Sequence, residues 1–162
     1  MCSSPSDGFV IRPTTLADAE TIVAHRRAMF FDMGYGDTAW LDEMAAAFLP
    51  WLRQKMESGE YLEWFAVAPD GSIAAGAGLW LMDWMPHRGS SNSRRGNVLN
   101  VYTERPHQRR GLARRLMGVV LDDCRVKGLG VVILHSSDEG RRLYESLGFK
   151  PTNEMRIDLD PR

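Results

Sequence analysis

Two rhythms of apolar and polar positions run along the chain, and the places where one gives way to the other mark its elements. Leu16, Ala19, Ile22, Val23, Arg26, Met29 and Phe30 recur at three- and four-residue spacing, which predicts a helix with one buried face, started at Thr15-Leu-Ala-Asp18 and ended by Gly34 and Gly36. The same spacing resumes from Asp37 or Thr38 through Trp40, Leu41, Met44, Phe48, Trp51, Leu52 and Met56, with Pro50 expected to kink or break this second helix. Strand rhythm governs Phe9–Arg12, Tyr61–Ala68 and Ser72–Trp84. The last two are joined by Pro69-Asp70-Gly71, a hairpin turn, and Gly76 and Gly78 inside the third strand signal a bulge or a close backbone approach.

Met85–Gly96 has no period and reads as a mobile loop. Beyond it the chain reads as a strand over Asn97–Thr103, a helix from Leu112 to Lys127, a strand over Leu129–His135, a helix over Asp138–Leu147 closed by Gly148, and a last strand over Met155–Leu159. A hairpin followed by alternating helices and strands implies a mixed α/β class, a twisted and largely antiparallel sheet of about six strands flanked by about four helices. One domain over residues 1–162 is expected, with residues 1–7 as a loose terminus.

The stretch from Asn97 to Lys127 carries the chemistry. Between its strand and its helix lies Gln108-Arg-Arg-Gly111-Leu-Ala113, where a helix leaves its first backbone N–H groups without acceptors. A glycine there lets a ligand come close, and the partial positive charge of a helix N-terminus suits a diphosphate; Arg109, Arg110, Arg114 and Arg115 add full charges. A dinucleotide loop would need a third glycine and a placed acid, and a Walker loop would need Gly-Lys-Ser/Thr. Neither is present.

The pattern Gln108-x-x-Gly111-x-Ala113, together with Leu143-Tyr144-Glu-Ser-Leu-Gly148-Phe149 after the apolar run Val131–Leu134, resembles the Gcn5-related N-acetyltransferases, in which the first block holds the pyrophosphate of acetyl-coenzyme A on backbone amides. The resemblance implies transfer of an acetyl group from acetyl-coenzyme A to a primary amine, by direct attack through a tetrahedral intermediate. It implies a cofactor site made of Val101, Tyr102, Thr103, Gln108, Arg109, Arg110, Gly111, Leu112, Ala113, Arg114, Ser137 and Tyr144. Within that set the backbone N–H of Val101 would face the oxyanion, Thr103 would hold the pantetheine arm, and Tyr144 would protonate the departing thiolate. Two positions depart from the family pattern: Ser137 stands where an Asn often contacts pantetheine, and Pro106 lies two residues before the Gln rather than three. Leu99 occupies the position at which some members carry a basic Glu, which leaves Asp83, Glu104, His87, His135 or a water chain as proton acceptor.

Composition narrows the partners. With 20 Lys plus Arg against 21 Asp plus Glu, the net charge of -1 argues against a surface built for nucleic acid, although arginine pairs recur along the chain. Cys2 and Cys124 make neither a disulfide framework nor a metal site, so no metal is expected and a reducing, cytoplasmic setting is the default. The first residues lack the basic and apolar parts of a signal peptide, and the longest apolar run, Ile73–Met82, falls short of the ~20 residues that span a membrane.

For the acceptor, the resemblance points to Met29–Tyr35 and Trp84–Arg95, where Met29, Phe30, Phe31, Met33, Tyr35, Trp84 and Met85 form an apolar and aromatic set, with Asp32 and the adjoining Asp83 as the only acids. That composition suits a small amine better than a basic peptide. A protein or peptide acceptor, a noncatalytic acyl-coenzyme A binding module and a homodimer remain as alternatives.

Overall fold

The computed structural model describes residues 7–160. Five strands form one sheet in the order β1 (Val10–Pro13), β2 (Tyr61–Val67), β3 (Ile73–Asp83), β4 (Arg94–Thr103), β5 (Val132–Leu134). The first three pairings are antiparallel and the fourth, β4 with β5, is parallel. The helices are α1 (Ala19–Asp32), α2 (Thr38–Glu57), α3 (Leu112–Val126) and α4 (Asp138–Ser146).

Each face of the sheet has its own core, because alternate strand residues point to opposite sides. Tyr61 and Phe65 of β2 pack with Ala19 and Ile22 of α1 and Leu52 of α2. On the other face Leu79, Leu81 and Val98 meet Leu112, Leu116, Met117, Val120 and Cys124, the buried stripe of α3, with Tyr144 and Phe149 leaning on the same cluster. The Asp37 carboxylate caps α2 by accepting from the Trp40 N–H at 3.2 Å, and α2 runs on through Pro50 rather than breaking there, held by the burial of Leu41 before it and Leu52 after it.

Three expectations are corrected. The strand at Met155–Leu159 does not form: the segment is irregular, and Met155, Ile157 and Leu159 are exposed, so β5 ends the sheet and the strand count is five. The strand read over Leu129–His135 shrinks to three residues. The loop after β3 is shorter than Met85–Gly96 because β4 already begins at Arg94, and it is tied down: the His87 and Ser90 backbones bond to each other, and the Asn92 side-chain amide donates to the Gly128 carbonyl at 3.0 Å. Residues 1–6 of the expected loose terminus lie outside the described residues, while Asp7 pairs with Arg115 at 2.9 Å.

Candidate functional site

Strand β4 is one residue too long for β3. Gly76 faces Tyr102 and Gly78 faces Leu99, so Ala77 alone stands opposite both Asn100 and Val101. This is a bulge, and Asn100 takes it up with φ 55°, a left-handed conformation that Asn tolerates better than most residues. The consequence is a switch in where the backbone points. Before the bulge the Gly96 N–H donates to Val131 on the β5 side at 3.1 Å; after it the Glu104 N–H donates to Ala74 on the β3 side at 2.9 Å. In an unbroken strand residues eight apart would point the same way. The extra residue therefore turns Val101 and Thr103 away from β3.

On that side β4 has no paired strand beyond Val98 among the described residues, because β5 pairs only with Gly96, Asn97 and Val98. The N–H groups of Val101 and Thr103 face an opening between diverging strands. The Thr103 carbonyl in the same opening accepts from the Gln108 side-chain amide at 3.3 Å, which ties the strand end to the loop that follows.

That loop turns sharply. Arg109 and Gly111 have φ 63° and 74°, and Gly111 is the N-cap of α3. The first bond of the helix is from the Arg115 N–H to the Gly111 carbonyl at 3.1 Å, leaving the N–H groups of Leu112, Ala113 and Arg114 without helical acceptors. A Cβ on Gly111 would meet no atom within 4 Å, so the space over these amides is open. Unpaired amides at a helix start, backbone in alternating handedness and nearby arginines form a concavity for an anion. These features fit a diphosphate. Arg114 donates to Ser146 Oγ at 2.6 Å and Arg115 to Asp7, so Arg109 and Arg110 are the arginines of this loop without a side-chain hydrogen-bond partner among the described residues.

Tyr144 lies on α4 against Phe149, ring centroids 6.0 Å apart, beside a hollow lined by β5, His135 and Ser136. Burial raises its phenol above the ordinary value, so it carries its proton at neutral pH. Ser137 caps α4, accepting from the Gly140 N–H at 3.2 Å.

The acceptor residues named from sequence do not gather in one place. Asp32, at the end of α1, accepts from Tyr102 Oη at 3.3 Å and pairs with Arg105 at 2.5 Å, beside the far end of β4. Phe30 meets Tyr35 and Trp40 edge-on, each at 5.6 Å, and half-exposed Met33 follows Asp32. Asp83, paired loosely with Arg94 at 3.7 Å, and Trp84, lying under the Arg95 guanidinium, stand at the start of β4. Six residues of strand, roughly 20 Å, separate Arg94 from the bulge. Asp83 and Trp84 thus sit apart from the opening, and His87 shares their end of the sheet.

One group escaped the sequence reading. A buried chain of hydrogen bonds runs from Arg26 Nη1 to Asn100 Oδ1 at 2.7 Å, from Asn100 Nδ2 to Tyr61 Oη at 2.8 Å, and from Tyr61 Oη to Glu63 Oε2 at 2.5 Å. Burial pushes the Glu63 carboxyl up to about 8, partly countered by the bond from Tyr61. Its Oε1 has no hydrogen-bond partner among the described residues. The signal was the Gly76-x-Gly78 pair, since a Cβ on Gly76 would clash with Glu63 and one on Gly78 with Tyr61. Next to this chain lies His25, buried between Phe65 and Tyr102, with Nε2 3.3 Å from Glu104 Oε1; desolvation lowers its pKa, which favours the neutral ring.

The family model described as Acetyltransferase (GNAT) family matches residues 20–149. A GCN5-related N-acetyltransferase from Ralstonia eutropha JMP134 superposes with a TM-score of 0.88 at 32% identity, covering 94% of this chain and 99% of that one. A predicted acetyltransferase from Clostridium acetobutylicum, solved with acetyl-CoA, gives 0.83 at 22% identity, with 94% and 96% covered. An aminoglycoside acetyltransferase from an uncultured soil metagenomic sample gives 0.70 at 17% identity, with 95% and 99% covered. Comparison with curated protein sequences gives no match.

Proposed function

Because the chain belongs to the GNAT acetyltransferase family, we propose that it moves the acetyl group of acetyl-coenzyme A onto a primary amine of a small molecule. The observation that carries this reading is the pairing of two sets of free amides, those of Val101 and Thr103 in the strand opening and those of Leu112, Ala113 and Arg114 at the start of α3, joined through Gln108. One set suits a thioester arm and its carbonyl, the other a diphosphate.

In this reading Gly111, with Arg109, Arg110, Leu112, Ala113 and Arg114, holds the pyrophosphate, and Thr103 and Tyr102 line the pantetheine arm. The Ser137 hydroxyl is already engaged at the cap of α4, so it offers pantetheine only its remaining hydrogen. The Val101 N–H lies along the path of the thioester oxygen and takes up its developing charge. The amine nitrogen forms a bond to the acetyl carbon, the carbon–sulfur bond breaks, Tyr144 gives its proton to the departing thiolate, and the proton lost by the amine passes to water. A phenol that stays protonated at neutral pH suits that role.

A small acceptor is favoured because the end of α1 carries an aromatic cluster, Phe30 with Tyr35 and Trp40, and its acid, Asp32, is already paired. The test is thiol release from acetyl-coenzyme A with a panel of polyamines, aminoglycosides, amino acids and basic peptides. Release with small amines is expected; preference for the peptides over every small amine refutes the acceptor class, and binding without release in any arm refutes catalysis.

A further inference from the structure

Near the bulge stands a cation with no counter-charge among the described residues. Arg26, on α1, is half-buried between the faces of Phe30 and Phe48, its guanidinium carbon 4.9 and 4.8 Å from the two ring centroids. The stack fixes the guanidinium plane. Nη1 donates to Asn100 Oδ1 at 2.7 Å, which anchors the group beside the bulge that turns Val101. Nε and Nη2 have no acceptor among the described residues, so the guanidinium keeps donors on two nitrogens for an incoming anion.

We propose that Arg26 recognises an anionic group, a carboxylate or a phosphate, carried by the acceptor amine; this rests on the acetyl-transfer reading above. Taking a cation out of water is unfavourable unless a charge or several acceptors meet it. The carboxylates near it do not. Asp32 is committed to Arg105 and Tyr102, and Glu104 faces His25. Glu63 stands two side chains away, beyond Asn100 and Tyr61, and its burial keeps it largely protonated at neutral pH. The contact Arg26 does have is a neutral amide, which orients the guanidinium without discharging it. An incoming anion supplies the missing charge, and the aromatic walls exclude water from the pair.

The test is calorimetry on the protein loaded with coenzyme A, using matched amines: the common L-amino acids against their carboxamides, and 2-aminoethyl phosphate against ethanolamine. At least one anionic amine is expected to bind about 10- to 100-fold more tightly than its neutral partner, the range of a charge-assisted bond pair. Arg26→Gln should erase that preference and Arg26→Lys should restore part of it, whereas Arg27→Gln, which removes an exposed arginine paired with Asp42, should leave it intact. The two amine pairs separate carboxylate from phosphate. Equal or weaker binding of every anionic amine in the wild type overturns the proposal, as does a folded Arg26→Gln protein that keeps the preference. Thiol release is recorded in parallel. Anion-selective binding without release upholds this inference and refutes acetyl transfer; release from neutral amines with no anion preference does the reverse.

Discussion

The Oε1 atom of Glu63 lies 2.7 Å from where a Cβ on Gly76 would stand, so the glycine in β3 and the buried carboxyl in β2 are two halves of one feature. A carboxyl kept protonated by its surroundings makes stability depend on pH in an unusual direction for an acid. Its pKa rises on folding from 4.5 to about 8, so the folded chain binds a proton that the unfolded chain has released between those values. The contribution is complete below the unfolded value and declines as pH rises toward the folded one, by about 1.4 kcal/mol per pH unit at most. Glu63→Gln, which keeps the shape and cannot ionise, should flatten this slope. Thermal melting from pH 5 to pH 8 checks it: parallel curves for the two proteins contradict the assignment.

Gly111→Val concerns the phosphate loop alone. No atom lies within 4 Å of the added Cβ, so no packing is lost, and the fold should bear only the strain of a branched residue at φ 74°, roughly 1–2 kcal/mol. Acetyl-coenzyme A affinity should fall by at least about 10-fold, because the branch occupies the space over the free amides. Titration calorimetry on protein shown to be folded by circular dichroism decides, and unchanged affinity removes the pyrophosphate from this loop.

Tyr144→Phe keeps the ring against Phe149 and removes the hydroxyl. The expected result is a kcat about 10²-fold lower with little change in acetyl-coenzyme A affinity, measured where chemistry limits the rate. Near wild-type turnover would reduce Tyr144 to a packing residue.

Asn100 offers a separable pair of variants. Asn100→Gly keeps the φ of 55° available and loses both side-chain bonds; Asn100→Ala loses the bonds and adds strain. The alanine protein should be less stable than the glycine protein by about 1 kcal/mol, and both should show lower kcat with acetyl-coenzyme A affinity largely retained. Denaturant unfolding and steady-state kinetics together check this, and equal stability of the two variants denies that the bulge is strained.

The sequence made the turn from β4 into α3 legible because its requirements are local: a strand, a Gln, a glycine and a helix start within a few residues. Helices α1 to α4 were likewise readable from their spacing. What it hid depends on residues far apart. Arg26 meets Asn100 across 74 positions, and nothing in either segment points to the other. Glu63 sat in a strand where an acid reads as solvent-facing, and only Gly76-x-Gly78 hinted that room had been left for something. The bulge falls inside a run of strand formers, and Asn100, of a type scarce in strands and tolerant of a left-handed φ, is its one local sign. The error at Met155–Leu159 has the opposite origin: alternation there is genuine, yet alternation makes a strand only where an edge receives it, and the segment passes β5 without pairing.

The extra residue in β4 also sets how this region tolerates change in length. Deleting one position between Leu99 and Tyr102 would let the ladder with β3 heal, and the sheet would improve as a sheet. Every residue from Tyr102 onward would keep its present β3 partner and its side, so Thr103 and the loop at Gln108 would stay in place. A one-residue deletion at Asn100 is thus a local change: it straightens β4 and removes the link between Arg26 and Tyr61, and leaves the rest of the strand in register.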